Sequence, residues 1–227
     1  MRRNGFRKFR ALTLAAALVG WSFVAPKVRW HPVPNAALGT GLAVITRAPL
    51  GLRPPALWPG LRYGAAAAAS VGLGVAAATA LPRVRAEMSE RELPEATCRW
   101  LLWAIPVGTV WPEELAYRAV LGTAAEEAFG PTVGRLVQSA AFGLWHIVDA
   151  RVTKQPVLRT VLATGVVGWV FGWLHTRSGS LAAPMLAHLA VNEAAGVAAL
   201  AVQRSVRSGP SSRKETSPYT SRISTVS

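Results

Sequence analysis

The sequence predicts an all-α, polytopic transmembrane helix bundle, on three observations. Charged residues make up only 16% of the chain and hydrophobic residues 51%, with a mean hydropathy of +0.29. A soluble domain carries about 25% charged residues, so lipid replaces water as the solvent for much of this chain. Apolar runs of helix-spanning length recur, punctuated by Gly and Pro. The basic residues gather at the flanks of those runs, as they do around membrane helices. The 227 residues suffice for one domain.

The first ten residues, MRRNGFRKFR, carry five basic side chains and no acid, and residues 11–25 are uncharged. This pattern suits a secretory signal or an uncleaved first membrane helix. The apolar spans that follow favour the uncleaved helix, starting on the cytoplasmic side. Residues 26–62 are rich in Pro, Arg and Trp, and their apolar piece, 36–46, is short: a second span, a re-entrant segment or an interfacial helix. Residues 63–81 are Ala/Gly-rich and long enough to span, with small residues that suit close packing in lipid. Residues 82–99 mix charges and contain two prolines, as a polar connection with a short amphipathic helix would.

Four helical runs are expected after that, at about 99–125, 132–149, 157–176 and 180–203. Gly130-Pro131, Pro156 and Ser178-Gly179-Ser180 separate them. Residues 204–227 are rich in Ser, Thr and Arg without an apolar period, and are expected to be disordered. Basic residues at both ends place both termini in the cytoplasm. An even span number follows, within an overall range of about six to eight.

The net charge of +14 invites a nucleic-acid partner. Its distribution along membrane flanks argues against one. The single cysteine, Cys98, excludes an intrachain disulfide framework and a cysteine metal cluster. The expected surroundings are the lipid bilayer and a peptide or protein substrate within it.

Ionised side chains at bilayer depth cost about 2.5–3.5 kcal/mol on insertion scales and are usually functional. Three sets lie inside the last four helices. Glu113-Glu114-Leu-Ala-Tyr-Arg118 places Glu114 and Arg118 four apart, where they pair. Glu113 points about 100° away, without Arg118 as partner, and is the better candidate base. Pro112 just before it loosens the helix. Phe142 to His146 brings an imidazole into an apolar helix, with Asp149 three residues on as a candidate partner. His188 and Asn192 share a helix face and can present two donors to one oxygen, help hold a metal, or make interhelical hydrogen bonds. Glu126-Glu127 reads as a solvated helix end, and His175 as a helix C-terminal histidine outside the catalytic set. A water held between Glu113 and His146 could be deprotonated for attack on a peptide carbonyl, with His188 and Asn192 stabilising the oxyanion.

These motifs resemble those of the CPBP intramembrane metalloprotease family, which includes the type II CAAX prenyl proteases and the bacterial Abi proteins. EExxxR is matched by Glu113 to Arg118, FxxxH by Phe142 to His146, and HxxxN by His188 to Asn192. Gly168, Gly172 and Gly179-Ser180-Leu181, with Pro184, fit the family's Gly-rich helix and its turn before the last motif. The resemblance covers 97–203 as a CAAX-protease-like core, after a variable membrane region 1–96 and before the basic tail 204–227.

It implies a multi-pass protein of a bacterial-type cytoplasmic membrane that cleaves a membrane-associated or lipidated peptide. Glu113 would be the general base, with Glu114, Arg118 and His146 in support, and His188 and Asn192 would stabilise the transition state. A divalent metal such as zinc could be held by Glu113, His146 and His188, although the H-E-x-x-H zinc helix is absent. The alternatives are a non-catalytic scaffold or bacteriocin-immunity-like protein on the same fold, and a small transporter with Glu113 and His146 as a proton relay. No internal inverted repeat supports the transporter.

Overall fold

A computed structural model describes residues 2–27 and 32–208. Among them there is no strand, and the chain is a helical bundle. α1 (Arg2–Ser22) leads through a short turn to α2 (Pro32–Thr46). α3 (Leu57–Thr79) and a short polar α4 (Pro82–Glu90) follow. α5 is one continuous rod over 97–129. α6 (Pro131–Trp145), a short α7 (Ile147–Val152), α8 (Val157–Ser178) and α9 (Ala182–Arg207) complete the order.

Three of these helices, α3, α8 and α9, are long and apolar enough to cross a membrane. Their outer faces are apolar yet uncovered: Leu73 on α3 and Leu158 on α8 are 72% and 70% exposed. In water such faces would be a liability; against lipid chains they cost nothing. The protein is a membrane protein on these grounds. α1 begins within the basic stretch, nine residues before the expected apolar run, because Arg and Lys are good helix formers.

α5 is wound unusually wide. Wide i→i−5 turns occupy Trp100–Ala104, Pro106–Val110 and Glu114–Gly122. Pro106 and Pro112 have no N–H, so each leaves an ordinary turn unclosed. The Ile105 N–H reaches the Trp100 carbonyl, and the Trp111 N–H reaches that of Pro106. Such wide turns are frequent at functional sites.

α5 lies at the centre. Its Tyr117 and Leu121 pack with Leu18 of α1 and Phe142 of α6, and its Leu115 and Val120 pack with Ala43 of α2 and Leu181. Glycines allow the closest approaches. A Cβ on Gly39 of α2 would stand 2.9 Å from the Pro112 backbone, so α2 rests directly on the turn that carries Glu113. Gly179 ends α8 with φ of +67°, a left-handed conformation open to glycine, and its N–H caps His175. This turn is tied to the rest by the Leu181 N–H, which donates to the Leu50 carbonyl at 2.9 Å.

Ala11 of α1 packs on Ala124, Ala125 and Ala128 at the end of α5. Trp100 at the start of α5 lies against Gly196 in the second half of α9, and Arg85 of α4 donates to Ser205. α1 and α9 therefore run in the same sense, and residues 2–10 and 204–208 sit at opposite ends. Residues 204–208, expected to be disordered, continue α9 or its cap. The remainder of that tail, 209–227, lies outside the described residues.

Candidate active site

α5 delivers Glu113, Glu114, Tyr117 and Arg118 to the bundle interior. All four side chains are buried, Glu114 completely. A carboxylate and a guanidinium survive there only as partners. Arg118 Nε stands 3.2 Å from Glu114 Oε2, the pairing that the four-residue spacing predicts. The guanidinium is also clamped between aromatic rings, 4.0 Å from the Phe142 centroid and 5.1 Å from that of Phe171. Phe142 thus serves the site as the cation's seat, supplied by α6.

α9 brings His188 to the same group. Its Nδ1 lies 2.7 Å from Glu114 Oε1. Since the carboxylate can only accept, Nδ1 carries the proton, and Nε2 of a neutral ring keeps its lone pair. That Nε2 faces Glu113 Oε2 at 3.8 Å, too long for a direct hydrogen bond. Glu113 Oε2 has no hydrogen-bond partner among the described residues, while its Oε1 accepts the indole N–H of Trp145 at 3.2 Å. Glu113 is therefore held at one oxygen and free at the other.

Two clefts meet at Glu113. One, mostly apolar, runs between α1, α2 and α5 past Leu18, Leu38, Tyr117 and Trp145. The other has a volume of about 140 Å³ and is lined by Ser22, Asn35, Thr109, Glu113, Trp145 and Asp149. Asp149 itself is exposed.

His146 stands elsewhere than expected. α6 ends at Trp145, and the ring of His146 turns back so that Nδ1 donates to the Phe142 carbonyl at 2.8 Å. Among the described residues it pairs with no carboxylate; its ring packs edge-on against Phe142 with centroids 4.8 Å apart. The histidine facing Glu113 is His188, not His146. Asn192 lies one turn along α9 from His188, half-buried, and its side chain makes no hydrogen bond among the described residues. Glu126 and Glu127 close α5, where Glu126 accepts the Thr176 hydroxyl at 3.4 Å. Cys98 is exposed.

Among the described residues no group of three His, Cys, Asp or Glu side chains is gathered to hold an ion. Glu113 and His188 approach each other at 3.8 Å, with Glu114 on Nδ1 of His188 and the Phe142 carbonyl on Nδ1 of His146, so each ring leaves Nε2 open.

Two further residues belong to the site. Trp145 fixes Glu113 through its N–H, and Tyr117 is 1% exposed with a hydroxyl that has no partner among the described residues. Both sit inside the motifs, at positions where an aromatic residue reads as packing. Only their placement in the Glu113 clefts gives them a second role.

Residues 95–194 match the family model for type II CAAX prenyl endopeptidases, Rce1-like. The match contains every motif residue above and supports the resemblance drawn from them. No curated protein and no solved structure matches the chain.

Proposed function

We propose, from the Rce1-like match and the half-held state of Glu113, that this protein is an intramembrane endopeptidase in which Glu113 activates a water. The observation that carries the reading is the pairing of a free carboxylate oxygen, Glu113 Oε2, with an imidazole nitrogen 3.8 Å away, beside a polar cleft. A water on the open side of the two can touch both. Glu113 Oε2 takes its proton while His188 Nε2 orients it, and the oxygen attacks the carbonyl carbon of a peptide laid in the cleft.

Supporting groups have distinct tasks. The Trp145 N–H fixes the other oxygen of Glu113, so the free one keeps its aim. Glu114 holds His188 in the Nδ1-protonated form, and Arg118 neutralises Glu114. Asn192, one turn from His188, offers its amide N–H to the developing oxyanion. The proton on Glu113 then passes to the leaving amine as the tetrahedral intermediate collapses.

The test is cleavage by the purified full-length protein in detergent of two peptides, one bearing a C-terminal isoprenyl cysteine motif and one unmodified membrane segment. Cleavage of either peptide that persists with chelator supports the reading, and a preference between the two defines the substrate. Cleavage abolished by chelator and restored by zinc would replace glutamate-only activation with a metal. No cleavage of either, with a Glu113→Gln variant that still functions in cells, would leave a non-catalytic scaffold on this fold.

A further inference from the structure

A second polar cavity lies on the far side of Arg118 from Glu114, between the end of α5, the middle of α6 and the end of α8. Its volume is about 290 Å³, and Arg118, Arg135, Gln138, His175, Glu126 and Glu127 supply its polar lining. It shares no lining residue with the clefts at Glu113.

Its floor is made of donors that lack acceptors. Arg118 and Gln138 are each 1% exposed. Nη1 and Nη2 of Arg118, Nε of Arg135 and Nε2 of Gln138 are buried without a hydrogen-bond partner among the described residues. Glu114 approaches Arg118 only at Nε, which leaves the two outer nitrogens facing away from that pair. Buried donors are almost always satisfied, so a cluster of unmet ones calls for an acceptor. Gly172 lets Gln138 and Arg135 pack directly on α8: a Cβ there would stand 2.7 Å from Gln138 Oε1 and 3.2 Å from Arg135 Cγ, so both side chains are held at the cavity wall.

The charges favour an anion. An adjoining cavity shares Pro49, Thr123 and Glu127 and adds Arg10 and Arg47 at the mouth. With Arg118 already paired to Glu114, Arg135, Arg10 and Arg47 stand against Glu126 and Glu127, and Glu126 accepts from Thr176. Two guanidinium groups and an amide converging on one space match the acceptor-only geometry of a phosphate or carboxylate.

We propose that this cavity binds an oxyanion group, seated on Arg118, Arg135 and Gln138. Phosphate at this end of a membrane bundle has two sources, a free ion and a lipid headgroup. The site is independent of the peptidase reading, and its test does not use activity.

The experiment follows thermal unfolding of the full-length protein in a neutral maltoside detergent. It is titrated with inorganic phosphate at constant ionic strength, and separately with phosphatidylglycerol against uncharged diacylglycerol. Wild type is compared with Gln138→Leu and Arg135→Leu, each of which removes one donor. Loss of one charge-assisted bond weakens binding about tenfold. A saturable rise in Tm with phosphate, shifted tenfold or more to higher concentration in the variants, establishes the site with a free-ion source. The same behaviour with phosphatidylglycerol alone establishes it with a lipid source. No saturable effect of either ligand on the wild type overturns the proposal, as does an equal response of wild type and whichever variant folds. Should neither variant fold, Gly172→Ala, whose Cβ pushes the ends of Gln138 and Arg135 out of place, takes their place under the same criteria.

Discussion

The two flanks of α5 differ in how far their polar groups are satisfied. On one, Glu114 is wholly buried and carries two partners, the Arg118 guanidinium and the His188 imidazole. On the other, Glu113 has one oxygen held by Trp145 and one with no hydrogen bond, beside a polar cleft. The carboxylates are neighbours in the chain and chemically identical. Helical rotation alone sends them into different surroundings, and the difference teaches how one motif divides its labour. A fully paired carboxylate is a structural and orienting group. A half-held one keeps the lone pairs that a base needs.

Breaking the free flank should give the largest effect. Glu113→Gln keeps the shape and the Trp145 contact but removes the base. Peptide cleavage is expected to fall about 100- to 10,000-fold, the range for loss of a general base, while thermal unfolding changes little. Breaking the satisfied flank should show in stability instead. Arg118→Leu leaves Glu114 buried without its cation, and unfolding in mixed micelles is expected to show a loss of about 3–5 kcal/mol. An Arg118→Leu protein as stable as wild type would mean that the pair is not buried as described.

Smaller changes sharpen the comparison. Gly39→Ala places a Cβ 2.9 Å from the Pro112 backbone, beside the free flank and away from Glu114. Overpacking of that kind costs about 1–3 kcal/mol, and turnover should fall as the Glu113 turn is pushed aside. Trp145→Phe removes a single N–H from a carboxylate, worth about 1.5 kcal/mol. Turnover should drop roughly tenfold, with KM nearly unchanged. A drop confined to KM would make Trp145 a substrate contact and not a support for Glu113.

Much of the helix order was legible in the residues. The runs expected at 157–176 and 180–203 appear as α8 and α9 within a few residues, because Pro156 and Gly179 mark chain breaks that no packing can override. The Glu114–Arg118 pair followed from spacing alone. The His188–Glu114 bond did not, because local periodicity says nothing about which of two adjacent carboxylates a distant helix will meet. His146 was expected against Glu113. Instead α6 ends one residue earlier, and the His146 ring folds back onto its own backbone. Trp145 was invisible for a similar reason: an indole in an apolar helix reads as packing until its N–H finds an acceptor. The sense of α9 relative to α1 depends on how distant helices pack, which local sequence does not encode.

The most direct test measures both properties on both carboxylates. Glu113→Gln and Glu114→Gln are each assayed for peptide cleavage and for unfolding in the same detergent. The expected result is a separation: Glu113→Gln folded and inactive, Glu114→Gln measurably less stable, with residual cleavage where it stays folded. Equal loss of stability in the two variants, or full cleavage by Glu113→Gln, would contradict the division of roles between them.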